Sequence, residues 1–135
     1  MTCPLCDLSN KQLVYQDDYC FAMVISEPLK DGHLMVLPKR HVESLTDLNP
    51  EESQAILKLL GRLDKTISEA YDEEPIIFMN LGGHSTQPHI HFHILPSKGG
   101  LRHLFSEYEK LPFRKAANSQ ERKRIGDKIR KSFKW

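Results

Sequence analysis

Three histidines alternate with apolar residues in the segment His89–Leu95, whose sequence is HIHFHIL, and this pattern limits the fold more than any other. Successive side chains of a β-strand point to opposite faces of the sheet. The pattern therefore predicts a strand over His89–Leu95, with three imidazoles on one face and apolar side chains on the other. Imidazole is the side chain most easily charged or discharged near neutral pH, so such a row favours a chemical role over an ordinary solvated face.

Apolar runs, turn residues and helical periodicity predict the other elements. Strands are expected at Leu13–Tyr15, Tyr19–Ile25, His33–Leu37 and Pro75–Asn80. A helix is expected from Pro50 to about Tyr71, because Asn49 before Pro50 is a typical helix start and apolar residues follow at helical spacing. A late basic helix is expected from Asn118 to about Lys131. Strands on both sides of one central helix indicate an α+β fold, an antiparallel meander-like sheet with the helix packed on it.

The chain of 135 residues has a net charge of +1, but its two parts carry opposite charges. Residues 1–97 contain 7 Lys/Arg and 14 Asp/Glu, whereas residues 98–135 contain 12 and 4. We expect residues 1–97 to form the main domain and residues 98–135 to be a basic extension with a helix, part of the same unit. The late helix could meet nucleic-acid phosphates, but no aromatic residue interleaves its cations to stack bases. A solvated helix face is therefore the preferred interpretation.

Targeting signals are not evident in the sequence. No apolar run reaches the ~18–20 residues of a membrane span, and the first ten residues have no basic-then-apolar signal pattern. We therefore expect a soluble, cytoplasmic protein with no membrane partner.

Cys3 and Cys6 form a C-x-x-C pair, while Cys20 lies in an apolar run and is expected to be a small buried side chain. In a cytosolic protein such a pair is more often a metal site or a redox pair than a structural disulfide. Two cysteines need two more ligands to close a tetrahedral zinc site. The candidate histidines are His33, His41, His84, His103 and the three of the alternating segment.

Two chemical uses of the alternating histidines stay open at this point. His89, His91 and His93 could together chelate a catalytic zinc. Alternatively, one imidazole could be a nucleophile while its neighbours orient it and bind an anionic substrate.

Two motifs resemble those of a known family. The segment His89–Leu95 followed by Pro96 resembles the signature of the histidine triad superfamily of nucleotide hydrolases and transferases. Gly32-His33 followed by LMVLPKRH, upstream of it, is similar to that family's G-H-x-x-V-x-P-K-x-H segment. The resemblance extends from about Cys3 to Pro96 and has both motifs in the right order, with a predicted helix between them.

The resemblance implies a fold, a reaction and a metal. The fold would be the small α+β fold of the histidine triad proteins, with the sheet continued across a homodimer. The reaction would be attack on the α-phosphate of a nucleotide by His91, giving a nucleotidyl-histidine that water resolves. His93 and His33 match the family's phosphate-contacting and pocket histidines. Members with an N-terminal C-x-x-C hold a structural zinc, for which the matching residues here are Cys3, Cys6, His41 and His89.

The loop before the triad is expected to contact substrate, although it departs from the family pattern. Asn80 matches a family Asn or Gln near the phosphates, and the hydroxyls of Ser85 and Thr86 could add donors. Ser85 stands where the family usually has Gln, and Gln87 lies two residues later. Ile25 stands where the family usually has an Asp or Asn that contacts the ribose.

These observations lead to one predicted function and several alternatives. The prediction is a nucleotide hydrolase acting on dinucleoside polyphosphates such as diadenosine tetraphosphate, or on nucleoside phosphoramidates. The alternatives are a nucleotidylyl transferase or phosphorylase of the same superfamily, a nucleotide-binding sensor without turnover, and a hydrolase whose catalytic zinc is held by the triad.

Overall fold

An antiparallel sheet with one long helix packed across it forms the framework of the protein, which a computed structural model describes for residues 3–79, 88–108 and 116–134. Within these residues the sheet has five strands, β1 (Leu13–Gln16), β2 (Cys20–Val24), β3 (Leu34–Pro38), β4 (Pro75–Phe78) and β5 (Phe92–Pro96). The helices there are α1 (Pro50–Tyr71), α2 (Gly100–Tyr108) and α3 (Ser119–Ser132), and a short 3-10 turn, Leu45–Asp47, precedes α1. The predicted α+β fold class is confirmed. In the described parts of the chain, no helix combines the length and the apolar character needed to span a bilayer.

The order of the strands brings the two histidine-bearing segments together. The sheet runs β1-β2-β3-β5-β4, so β1 to β3 form the predicted meander and β5 lies between β3 and β4. The 22-residue helix α1 crosses the sheet after β3. The chain then forms β4 at the edge of the sheet and returns as β5 between β3 and β4. In the β3–β5 pairing, Met35 lies opposite His93 and Leu34 opposite Ile94. The segment after His33 is thus a direct neighbour of the triad segment.

Helix α1 begins and ends where the sequence predicts. The Asn49 side chain accepts from the Glu52 backbone N–H, and the Glu52 carboxylate accepts from the Asn49 N–H, which completes a capping box. At the other end Asp72 adopts a left-handed conformation, with φ 53°. The inward face of α1 packs on one face of the sheet in an apolar cluster, whose buried members are Cys20, Ala22, Leu34, Val36, Ile56, Leu59, Leu60, Leu63, Ile67 and Ile94.

The opposite face of the sheet carries a second apolar cluster, formed by Leu5, Phe21, Met23, Met35 and Leu37. Leu5 belongs to the N-terminal segment, which lies over this face. Because Leu5 is buried, it fixes the short turn that carries Cys3 and Cys6. The C-x-x-C pair is therefore held against the sheet.

Three elements differ from the sequence predictions by more than one residue at an end. β5 begins at Phe92 rather than at His89. The Ile90 N–H donates to Val42 O (2.7 Å), so the segment before Phe92 contacts the chain that follows β3 instead of pairing in the sheet. β4 ends at Phe78, and the predicted strand end at Asn80 lies outside the described residues. Helix α2 was not predicted, although Leu101, Leu104 and Phe105 have helical spacing.

Candidate active site and metal centre

The three triad histidines divide between two adjacent groups of side chains. The His91 and His93 rings are in edge contact, with centroids 5.1 Å apart, and His33 lies 5.0 Å from His93. The His89 ring instead contacts His41, at 5.2 Å. The expected single row of three equivalent imidazoles is therefore not observed, because the first two precede strand β5.

The ring of His91 is held by a backbone carbonyl. His91 is 8% exposed, and its Nδ1 donates to His89 O at 2.8 Å. A carbonyl oxygen can only accept, so the proton of the neutral ring lies on Nδ1 and the lone pair on Nε2. An imidazole nitrogen with a free lone pair can attack an electrophile without first losing a proton.

His33 and His93 form a direct pair beside it. His33 Nε2 and His93 Nδ1 are 2.8 Å apart, and the Leu29 backbone N–H donates to His33 Nδ1 at 3.0 Å. Phe78 stacks on His93, with ring centroids 4.7 Å apart and planes inclined by 8°. Sequence reasoning missed both Phe78 and Leu29. The position of Phe78 opposite His93 follows from the β4–β5 register, which the sequence does not show.

Burial keeps these rings uncharged. Burial lowers the pKa of His93 to about 4, and the neighbouring His33 and His91 act in the same direction. Burial also lowers the pKa of His33 and of His89. At neutral pH these imidazoles are therefore neutral, the state in which one nitrogen of the ring accepts or binds a metal and the other donates.

Cys3, Cys6, His41 and His89 form a second group, whose candidate ligand atoms all lie within 4.8 Å of one another. His89 Nδ1 is 3.5 Å from Cys3 Sγ and 3.4 Å from Cys6 Sγ, and His41 Nδ1 is 3.4 Å from Cys6 Sγ. Bond lengths of about 2.3 Å to sulfur and about 2.0–2.1 Å to nitrogen with tetrahedral angles give N···S distances of about 3.6 Å. The three N···S distances are close to those of ligands around one ion.

The other nitrogen of each histidine explains why Nδ1 faces the sulfurs. His89 Nε2 donates to Pro38 O at 2.8 Å, and His41 Nε2 lies 3.1 Å from a carboxylate oxygen of Glu43. Both rings therefore carry the proton on Nε2 and present the Nδ1 lone pair to the cysteines. Such outer hydrogen bonds are typical of metal-binding histidines, and these four residues could hold a metal ion.

An ion pair connects this group to helix α1. Arg40, next to His41, donates to both carboxylate oxygens of Glu52, at 3.1 and 2.7 Å. Glu52 is 3% exposed and also completes the cap of α1. The Arg40 guanidinium holds the pKa of the Glu52 carboxyl below its usual range. The segment after β3 is thus attached to the helix as well as to the sheet.

The remaining candidate residues lie elsewhere. Cys20 is fully buried, and burial together with Asp17 raises its pKa to about 12, as expected for an inert core thiol. His103 is exposed on α2. The predicted substrate contacts from the loop, and His84 with them, lie outside the described residues; these are Asn80, Ser85, Thr86 and Gln87.

The chain is similar to several known proteins. Residues 8–100 match the HIT domain family model. An uncharacterized HIT-like protein of Borreliella burgdorferi is 33% identical over 103 residues, which cover 70% of this chain and 74% of that protein. A bis(5'-adenosyl)-triphosphatase of Saccharomyces cerevisiae is 33% identical, with 66% of this chain and 45% of that protein covered. One from Dictyostelium discoideum is 29% identical, with 67% and 63% covered. The chain thus spans less than two thirds of these triphosphatases.

Solved structures share the fold. A HIT family protein from Bacillus subtilis superposes with a TM-score of 0.74 at 19% identity, covering 100% of this chain and 99% of that one. A HIT family protein from Bacillus anthracis superposes with a TM-score of 0.71 at 21% identity, covering 98% of each chain. At these identities the likeness concerns the fold alone.

Proposed function

The chain belongs to the HIT domain family, and we propose that it is a hydrolase that cleaves nucleotides at the α-phosphate through a nucleotidyl-histidine on His91. The observation that carries the proposal is the His91 ring, whose Nδ1 is bound to His89 O while its Nε2 keeps the lone pair. A relative named bis(5'-adenosyl)-triphosphatase supports hydrolysis of dinucleoside polyphosphates. Nucleoside phosphoramidates are the second substrate class.

The proposed reaction has two displacements at phosphorus. In the first, the His91 Nε2 lone pair forms a P–N bond while the bond to the leaving group breaks. The leaving atom, an oxygen in a polyphosphate or a nitrogen in a phosphoramidate, takes the electron pair. In the second, water attacks the same phosphorus and gives up a proton to the solvent, the P–N bond breaks, and the electron pair returns to Nε2. Splitting one displacement into two lowers the barrier of each, and correct positioning supplies most of the rate enhancement in phosphoryl transfer.

His93 is proposed to donate a hydrogen bond to a phosphate oxygen in both steps. Its ring lies beside His91 and is fixed from one side by stacked Phe78 and from another by His33. Donors that are already in place when negative charge develops cost no reorganisation during the reaction. Asn80, Ser85, Thr86 and Gln87 are proposed to complete the substrate contacts.

The metal is proposed to be a structural zinc. Two thiolates and two imidazoles are a donor set typical of tetrahedral zinc. Four protein ligands leave no open position for water or substrate, so the zinc would stabilise the fold rather than activate a nucleophile. Because His89 is a ligand and its carbonyl binds His91, the metal would hold the peptide that orients the nucleophile.

The protein is further proposed to form a homodimer through β4. In the described sheet β4 is an edge strand, and Ile77 on it is 48% exposed. Leu57, on α1 near this strand, is 70% exposed. The space at Gly61 is open, since a Cβ added there would meet nothing within 4 Å. These residues line a shallow groove of about 360 Å³ together with Pro75. A second copy of the same edge would cover the apolar residues of this groove, which Asp64 and Glu74 also line, and would continue the sheet.

The proposal is tested by product analysis with a matched variant. Diadenosine tetraphosphate and adenosine phosphoramidate are incubated with the wild type, with His91→Gly and with His103→Ala, whose histidine lies on the exposed surface of α2. We expect the wild type and His103→Ala to release mononucleotide and His91→Gly to lose several powers of ten in rate. Mass spectrometry of the quenched wild type should detect a nucleotide attached to His91. Full activity of His91→Gly would contradict the assignment.

A further inference from the structure

The backbone N–H of Leu29 is a donor that the proposed reaction does not yet use. It lies in the turn between β2 and β3 and points at His33 Nδ1, at 3.0 Å. We propose that this N–H is a positioning group: it fixes the tautomer of His33 and, through His33, that of His93, so that the His93 Nε2–H is the donor presented to the phosphate. The inference rests on the proposed function for its catalytic consequence only.

The nitrogen that carries the proton on His33 and on His93 follows from one fixed donor, the Leu29 N–H. A backbone N–H can only donate, so His33 Nδ1 must be its unprotonated acceptor. Neutral His33 then carries its proton on Nε2, 2.8 Å from His93 Nδ1. His33 must donate across that contact, which leaves the proton of neutral His93 on Nε2. Each step has one allowed direction.

The pair of neutral histidines would otherwise have two arrangements. In the reverse arrangement His93 Nδ1–H donates to His33 Nε2, and His33 then carries a proton on Nδ1 facing the Leu29 N–H. Two donors would then face each other, and one half-buried N–H would lose its hydrogen-bond partner, which disfavours this arrangement. Burial lowers the pKa of both histidines, so double protonation does not resolve the conflict at neutral pH.

Two contacts hold the turn that carries the Leu29 N–H. Lys30 Nζ forms an ion pair with Glu73 at 2.7 Å, which connects the turn to the segment after α1. Gly32 has φ +91°, and a Cβ there would lie 2.8 Å from a Tyr71 ring carbon and 2.9 Å from Pro96 Cδ. Only glycine allows this conformation and this close approach. The donor is thus fixed relative to α1 and β5.

The result is a free lone pair on one ring and an N–H donor on the neighbouring ring. His89 O fixes His91 with its lone pair on Nε2, and the Leu29 N–H fixes His93 with its proton on Nε2. The electrophilic phosphorus requires the lone pair of His91, and the phosphate oxygens require the N–H of His93. His33 has a single proton, engaged with His93, and is therefore a positioning residue.

The tautomers can be measured directly in the full chain without substrate. Two-bond ¹H–¹⁵N NMR spectra of ¹⁵N-histidine protein distinguish the Nδ1–H and Nε2–H forms, and single His→Gln variants assign the rings. We expect His33 and His93 in the Nε2–H form at pH 7. An Nδ1–H form on either ring would overturn the inference, whatever the enzyme assays give.

Two variants at one position separate the N–H from the side chain. Leu29→Pro removes the N–H, whereas Leu29→Ala keeps it and trims a side chain that is 46% exposed. We expect Leu29→Pro to put part of His93 in the Nδ1–H form and to lower kcat on the order of tenfold to a hundredfold, as loss of an outer hydrogen-bond partner does. Leu29→Ala should change neither. Unchanged tautomers and kcat in a folded Leu29→Pro protein would contradict the inference.

A second replacement covers the case in which Leu29→Pro does not fold. The α-hydroxy analogue of leucine, incorporated at position 29, exchanges the N–H for an ester oxygen and keeps the side chain. It should shift the same NMR signals. If wild-type tautomers are as expected but no nucleotide is turned over, the proposed function fails and the proton order of the pair stands.

Discussion

At the scale of single residues, the site depends on which nitrogen of each imidazole carries the proton. His89, His91 and His33 each have one ring nitrogen bound to a backbone group, and His93 is bound to His33. Each contact removes one of the two tautomers of a neutral ring. Four side chains of one chemical type are thus held in the states that their proposed roles require: metal ligand, nucleophile, positioning group and donor.

The low pKa of His93 predicts how its stabilising effect depends on pH. The pKa falls from 6.5 to about 4 on folding, so the unfolded chain binds the proton more tightly. The contribution of neutral His93 to the free energy of unfolding is therefore fully present above the pKa of the unfolded state. It declines as pH falls from about 7 towards 4. The upper limit of this change is about 3 kcal/mol, from 1.36 kcal/mol per pKa unit.

The measurement compares urea unfolding of wild type and His93→Asn between pH 7.5 and pH 5. The difference in unfolding free energy between the two proteins should shrink as pH falls. His103→Asn, a change at an exposed position on α2, is the control for altered histidine content. A difference that grows on acidification would mean that His93 is stabilised in its charged form.

At the scale of elements, the sequence predicts those elements whose signals are local. The signals for α1, its Asn49-Pro50 start and its apolar spacing, lie entirely in the helix and its cap, and the helix is found where predicted. The start of β5 is not local, because it depends on the Ile90 N–H donating to Val42, far away in the chain. The contact of Phe78 with His93 likewise depends on strand order, which no single segment encodes.

The two Asn-capped helices provide a matched test of what a cap contributes. Asn49 accepts from Glu52 N, and Asn118 accepts from Glu121 N with the same 2.8 Å geometry. Helix α1 has an inward face that packs on the sheet, whereas no residue of α3 is buried. Asn49→Ala should therefore lower the free energy of unfolding by about 1 kcal/mol, while Asn118→Ala should only reduce helical circular dichroism. Equal losses of global stability would show that α3 folds as part of the core.

At the scale of the whole molecule, the two sheet edges are alike in exposure but differ in their surroundings. Val14 on β1 is 50% exposed and Ile77 on β4 is 48% exposed. Only the β4 edge, among the described residues, continues into the groove that contains Leu57 and Gly61. Helix α2 also contacts β4, so the C-terminal extension borders the same edge.

The proposed dimer predicts different effects of the same substitution at the two edges. Ile77→Asp should convert the protein to monomers, because it places a charge in the proposed apolar contact. Val14→Asp should leave the dimer intact, since β1 lies at the other edge. Sedimentation velocity at micromolar concentration distinguishes the outcomes. Dissociation by Val14→Asp alone would assign the interface to β1.

The candidate metal centre leads to the final prediction, which separates metal binding from stability. Cys6→Ser removes one of four candidate ligands, whereas Cys20→Ala leaves the ligands intact and opens a cavity in the core. Both variants should melt at lower temperatures than the wild type, since bound metal stabilises only the folded chain and cavities cost packing energy. The zinc content measured by atomic absorption should fall only in Cys6→Ser. Chelation should likewise lower the melting temperature of the wild type and of Cys20→Ala but leave Cys6→Ser unchanged. If Cys6→Ser retained one zinc per chain, the four residues would not be the ligands, and the His89 peptide would have to be held by the Pro38 and Val42 contacts alone.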